Sequence, residues 1–149
     1  MQLDPGITIV STVAHVIQLS VAPVFLLSGV GAMLAVFMNR LGRVVDRARA
    51  LESLLPATAE AEREAIHAEL ATLSRRARLI NWATSLCAMC AILICLVIAA
   101  LFTGSFLAVD VSALVGVLFV VAMLMLTLGL MSFLKEVHLA TMTMRIGAR

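Results

Sequence analysis

Apolar and charged positions fall along this chain in long blocks. Residues 5–39, 79–109 and 111–134 contain no Asp, Glu, Lys or Arg, and each stretch exceeds the roughly 20 apolar residues that cross about 30 Å of hydrocarbon as a helix. Leu86 to Phe102 and Val115 to Leu130 are apolar on every helical face, whereas membrane strands alternate in polarity over segments of about 10 residues. The pattern predicts an all-α integral membrane protein with three transmembrane helices, at about residues 11–38, 82–103 and 111–134.

Between the first two spans, about residues 39–80, the pattern changes but stays helical. Leu41, Val44, Ala48, Leu51 and Leu55 alternate at spacings of three and four, as do Ile66, Leu70, Leu73, Ala77 and Ile80. That is a coiled-coil seam, interrupted at Pro56-Ala57-Thr58. The spacing predicts that helices 1 and 2 extend into an antiparallel helical hairpin, a stalk on a single membrane domain of residues 1–149. Helix 1 is expected to start near Asp4-Pro5, with proline at its first position, and to kink or leave a carbonyl locally exposed at Pro23, which removes the hydrogen bond to the Leu19 carbonyl. Thr103 to Asp110, with Gly104, reads as a short outer turn. The third span is expected to end at Lys135-Glu136, with a tail too short for another element with a core.

Composition narrows the class. The chain has 149 residues, 62% hydrophobic and 13% charged, with a mean hydropathy of +1.10. Soluble domains carry about a quarter charged residues, so a soluble globule is excluded. The acidic start at Asp4 does not suit a secretory leader, so the first span is expected to be retained. Residues 40–78 hold eight Arg and the segment from Lys135 onward three basic residues, while the other flanks hold none. By the positive-inside rule the N-terminus lies outside and the C-terminus in the cytoplasm, in a bacterial inner membrane if the source is bacterial. The stalk is basic near the membrane and acidic at its tip, where Glu52, Glu60, Glu62, Glu64 and Glu69 gather. Arg40, Arg47, Arg75, Arg76 and Arg78 read as contacts to anionic lipid headgroups, and the acidic tip as a dock for a cytoplasmic protein.

Candidate chemistry is sparse. Cys87 and Cys90 have the Cys-x-x-Cys spacing, but with Cys95 they lie within a span, away from His15, His67 and His138. They read as small packing residues and not as a metal or redox site. No phosphate loop, nucleophile elbow, His-Glu-x-x-His or paired carboxylates occur, so neither an enzyme nor a cofactor is expected. Basic residues that hug the membrane, with an acidic tip beyond them, give no nucleic-acid surface.

The first span carries the most informative pattern. His15, Gln18, Ala22, Phe25, Gly29, Ala32, Val36, Asn39 and Arg43 follow spacings of three and four, a stripe polar at both ends and small or apolar between. Polar groups inside a membrane are costly and face protein or water. Arg43 and Leu41 are about 200° apart at about 100° per residue, so near its end the stripe points away from helix 2. Helix 3, a second copy of the chain or water along an oligomer axis are the candidates to meet it. The pairs Ser28 with Ala32, Gly31 with Ala35 and Ser112 with Gly116 suit close helix crossing. Three helices are too few to enclose a pore, so conduction requires a ring of subunits. In such a ring Phe25 and Val36 form hydrophobic constrictions, and Arg43 favours anions unless lipid or Asp46 neutralises it.

The runs His15-Val-Ile-Gln18, Pro23-Val-Phe-Leu-Leu-Ser-Gly29, Arg40-Leu-Gly-Arg43-Val-Val-Asp46-Arg47-Ala-Arg49 and Arg75-Arg76-Ala-Arg78-Leu-Ile-Asn81 together resemble the uncharacterised bacterial membrane family termed domain of unknown function 2721. The resemblance spans nearly the whole chain. It implies a small three-span inner-membrane protein and brings no activity or catalytic residue with it. Two functional readings stand. The leading one is a homo-oligomeric channel or pore-like assembly with helix 1 lining the axis. The alternative is a non-conducting scaffold or accessory subunit that binds a partner or lipid through the hairpin.

Overall fold

The computed structural model describes residues 5–57, 59–107 and 109–144, with side chains described except at 5–12, 57, 61 and 139–144. The element order is α1 (Pro5–Leu54), a 3-10 turn (Leu55–Ala57), α2 (Glu60–Leu107) and α3 (Ser112–Met144). All three helices contain stretches long and apolar enough to cross a membrane. α1 continues as a helix through Pro23, and it starts at Pro5, where a missing N–H costs nothing. The expected cap, Asp4, lies outside the described residues. At the far end Pro56 falls in the 3-10 turn, as its lack of an N–H requires.

Burial along the helices repeats every seven residues. On α1 the buried positions include Val16, Pro23, Val30, Phe37, Val44 and Leu51. On α2 they fall into two such series, Leu73, Ile80, Cys87 and Ile94, and Ala83, Cys90, Val97 and Gly104. Two hydroxyls inside the spans are satisfied by their own helix: Ser20 Oγ donates to the Val16 carbonyl at 2.8 Å and Thr84 Oγ1 to the Ile80 carbonyl at 2.8 Å, which removes the cost of an unpaired donor.

The chain divides into two compact units. One comprises residues 1–32 and 87–126, the other residues 33–86 and 127–149. In the first, Val16, Ser20 and Val30 of α1, Cys87, Cys90, Ile94 and Val97 of α2, and Ala122 of α3 are buried. The break expected at Thr103 is not found, for α2 continues to Leu107. Gly104 is buried inside the helix: a side chain there would collide with Val111, and the Val109 carbonyl would lie 3.2 Å from its Cβ. The Val109 N–H donates to the Gly104 carbonyl at 3.2 Å, the six-residue closure of a Schellman-type helix end. Glycine therefore provides the hollow into which the returning chain packs, and the turn itself comes later. Asp110 Oδ1 then accepts from the Ser112 N–H at 3.0 Å and the Ser112 hydroxyl at 2.6 Å, starting α3.

In the second unit, Phe37, Val44 and Leu51 of α1 are buried with Leu73, Ile80 and Ala83 of α2. Phe37 meets Phe133 of α3 with ring centroids 4.5 Å apart at an interplanar angle of 33°, a tilted pairing favoured by the ring quadrupoles. α3 continues past Lys135-Glu136 to Met144. Its charged residue can be helical and buried there because arginines from the other two helices meet it.

Candidate functional site

Two features gather the polar groups of this chain. The first is the stripe on α1. Among the residues of the first unit, His15, Gln18, Ala22, Phe25, Gly29 and Ala32 are all exposed, Phe25 by 75%. In the second unit Val36, 51% exposed, Asn39 and Arg43 are exposed as well. The buried positions of α1 lie one or two residues away from each of these, so the stripe falls on the helix face opposite the one packed against α2 and α3. α3 therefore leaves these residues uncovered. A cavity wall touches the stripe at one end, where His15 and Ala22 join Leu101, Gly104 and Phe119 in lining an apolar groove.

The second feature is not evident from the sequence. Glu136 of α3 exposes none of its side chain. Its Oε1 accepts two hydrogen bonds from Arg76 of α2, from Nε at 3.2 Å and Nη2 at 2.9 Å. Its Oε2 lies 3.1 Å from Nη1 of Arg40 on α1, an ion pair by distance but without hydrogen-bond alignment. Arg40 also stacks on α3, with its guanidinium carbon 5.1 Å from the centre of the Phe133 ring. One carboxylate thus fastens all three helices. Two of the arginines read as headgroup contacts, Arg40 and Arg76, are engaged here and are only 32% and 23% exposed.

The remaining arginines differ. Arg47 forms a two-pronged contact to Glu69 Oε1, at 3.0 Å from Nε and 2.9 Å from Nη2. Arg43, Arg75 and Arg78 are exposed and have no ion-pair partner among the described residues. At the start of α2, Arg63 pairs with Glu60 at 3.2 Å. Cys87 and Cys90 are fully buried and Cys95 is exposed.

The sequence signal for Glu136 is an acid two positions after a charge-free span, next to Lys135, while Arg40 closes the first such span and Arg78 opens the second. No local spacing joins Glu136 to Arg40 and Arg76, because Arg76 is 60 positions away along the chain.

Comparison with curated proteins and with solved structures gives no match. A family model described as protein of unknown function (DUF2721) matches residues 20–146, a range that includes most of the α1 stripe and all three members of the Glu136 cluster, and the chain belongs to that family.

Proposed function

We propose that this protein is a homo-oligomeric, pore-like membrane assembly with α1 lining the axis, and that it is not an enzyme. In this reading it sits in a bacterial inner membrane with its N-terminus outside and its C-terminus in the cytoplasm. The charged parts of α1 and α2 form an antiparallel coiled-coil hairpin that makes a cytoplasmic collar.

The observation that carries the reading is the uncovered stripe: nine successive three-and-four positions from His15 to Arg43 are exposed in a single chain. Lipid is a poor solvent for Gln18 and Asn39. The small residues Ala22, Gly29 and Ala32 leave free width along this face. A ring of copies meets both requirements, with polar ends at the two mouths and Phe25 and Val36 narrowing the middle. Native mass spectrometry of the gently solubilised protein tests it. A single closed species of four or more subunits is expected; a monomer or dimer ends the pore reading.

A second reading is favoured by the acidic end of the stalk. Glu60 leaves 91% of its side chain exposed despite its pairing with Arg63, and Glu62 and Glu64 are exposed too. A non-conducting scaffold would use them to hold a basic partner. Charge reversal at Glu60, Glu62 and Glu64 then removes a co-purifying protein and leaves permeability unchanged.

A further inference from the structure

We propose that the groove beside Glu136 is a binding site for a phosphate group. Arg40, Arg43, Arg47 and Arg76 line one concavity of about 290 Å³ together with Glu136. Glu136 exposes none of its side chain, so what this groove offers to solvent is guanidinium. Counting the carboxylate of Glu69, which holds Arg47, four positive charges face two negative ones. The surplus matches the charge of one phosphate monoester or exceeds that of a diester.

The donors are also held in place. Each guanidinium carries five N–H groups in a rigid fork. Arg76 commits two of them to Glu136 and Arg47 two to Glu69. The remaining ones project from anchored side chains, which reduces the ordering cost of gripping an anion. Arg43 has no ion-pair partner among the described residues and remains available to close on the ligand. Bidentate guanidinium contact is the strongest form of phosphate recognition by side chains.

The position of the groove indicates where phosphate would come from. Arg40 directly follows the charge-free stretch 5–39, Arg76 comes shortly before the stretch 79–109, and Glu136 comes shortly after the stretch 111–134. All three helices therefore leave hydrocarbon at the level of this groove, where phospholipid phosphates lie. A soluble phosphate compound from the aqueous side shares the same chemistry. The site is complete within one chain, but it shares Arg43 with the stripe of the pore reading, so its test reads ligand binding and not conductance.

The test uses the full-length protein in neutral detergent. Short-chain phosphatidylglycerol, short-chain phosphatidylcholine and inorganic phosphate are titrated separately, with binding followed by native mass spectrometry and by the shift in melting temperature. Phosphatidylglycerol is expected to saturate a single site per chain at least tenfold more tightly than phosphatidylcholine, and the double variant Arg43→Gln with Arg47→Gln to weaken it at least fivefold. Saturable binding of inorganic phosphate alone, lost in the same variant, supports the site with a soluble source. The control, Arg49→Gln with Arg78→Gln, makes the same charge change on exposed arginines outside the groove. Equal weakening in this control overturns the proposal, as does failure of every probe to saturate. Because neither variant touches the Glu136 contacts, melting of the ligand-free proteins separates a lost site from a lost fold.

Discussion

Glu136 shows how much a single residue holds in this protein. A buried carboxylate loses its hydration, and the two guanidiniums, with the hydrogen bonds from Arg76, offset that loss. Replacing Glu136 with Ala leaves Arg40 and Arg76 facing each other without a counter-charge. Removing one member of a buried ion pair costs about 3–5 kcal/mol, and the partial exposure of both arginines puts the expected loss near the lower figure. Thermal unfolding in mild detergent checks this, with Arg78→Ala, an exposed arginine, as a control that should stay within about 0.5 kcal/mol of the parent. Equal melting of the two variants would show that the cluster contributes no stability. Gly104 makes the same point through shape. An added methyl group meets the Val111 side chain and the Val109 carbonyl, so Gly104→Ala is expected to lose about 1–3 kcal/mol by overpacking. Gly42 has nothing within 4 Å of an added Cβ, and Gly42→Ala should gain roughly 0.5–1 kcal/mol from helix propensity. The same melting experiment reads both, and a stabilised Gly104→Ala would contradict the packing argument.

Among the elements, α1 is the most legible from its residues alone, because both of its faces are written in local spacing. Leu41, Val44, Ala48 and Leu51 mark the packed face, and the structure extends it back through Phe37, Val30 and Pro23 to Val16. The uncovered stripe follows from the same helical geometry. The end of α2 departs from expectation, and the setting of Glu136 is not written in local spacing, for equally physical reasons. Gly104 signals a turn by sequence statistics but is used for close packing, and Glu136 signals an exit to water but is neutralised by distant partners. The start of α3 depends on Asp110, whose carboxyl is held below its usual range by hydrogen bonds from the Ser112 hydroxyl and N–H. A depressed carboxylate pKa adds stability that is complete above the unfolded value, about 3.9, and is lost as pH falls through the folded value. Protection of the first α3 turn against amide exchange, corrected for intrinsic rates, should therefore fall on acidification below about pH 4. In Asp110→Asn that acid-dependent loss should disappear. Unchanged pH dependence in the variant would assign the effect to another group.

For the whole molecule, the question is what meets the exposed face of α1. A lipid-facing role and an axis-facing role predict different responses to the same substitutions. If the stripe lines an axis, Phe25→Ala and Val36→Ala widen apolar constrictions that would otherwise dewet, and reconstituted vesicles should leak ions faster than those with the parent protein. Arg43→Glu reverses the charge at the proposed cytoplasmic mouth, and the reversal potential under a salt gradient should move from anion toward cation preference. If the stripe is instead a closed packing face between copies, the two truncations leave cavities and the oligomer dissociates at lower detergent concentration with no change in leak. Gly29→Leu separates the two further. Among the described residues no atom outside its own stretch of helix lies within 4 Å of a Cβ there, so the monomer tolerates the substitution, while a tight contact between copies does not. Loss of the oligomer in Gly29→Leu together with unaltered conductance in the other three variants would remove the pore and leave a scaffold. An intact oligomer that leaks more in Phe25→Ala and changes selectivity in Arg43→Glu would place α1 on a conducting axis.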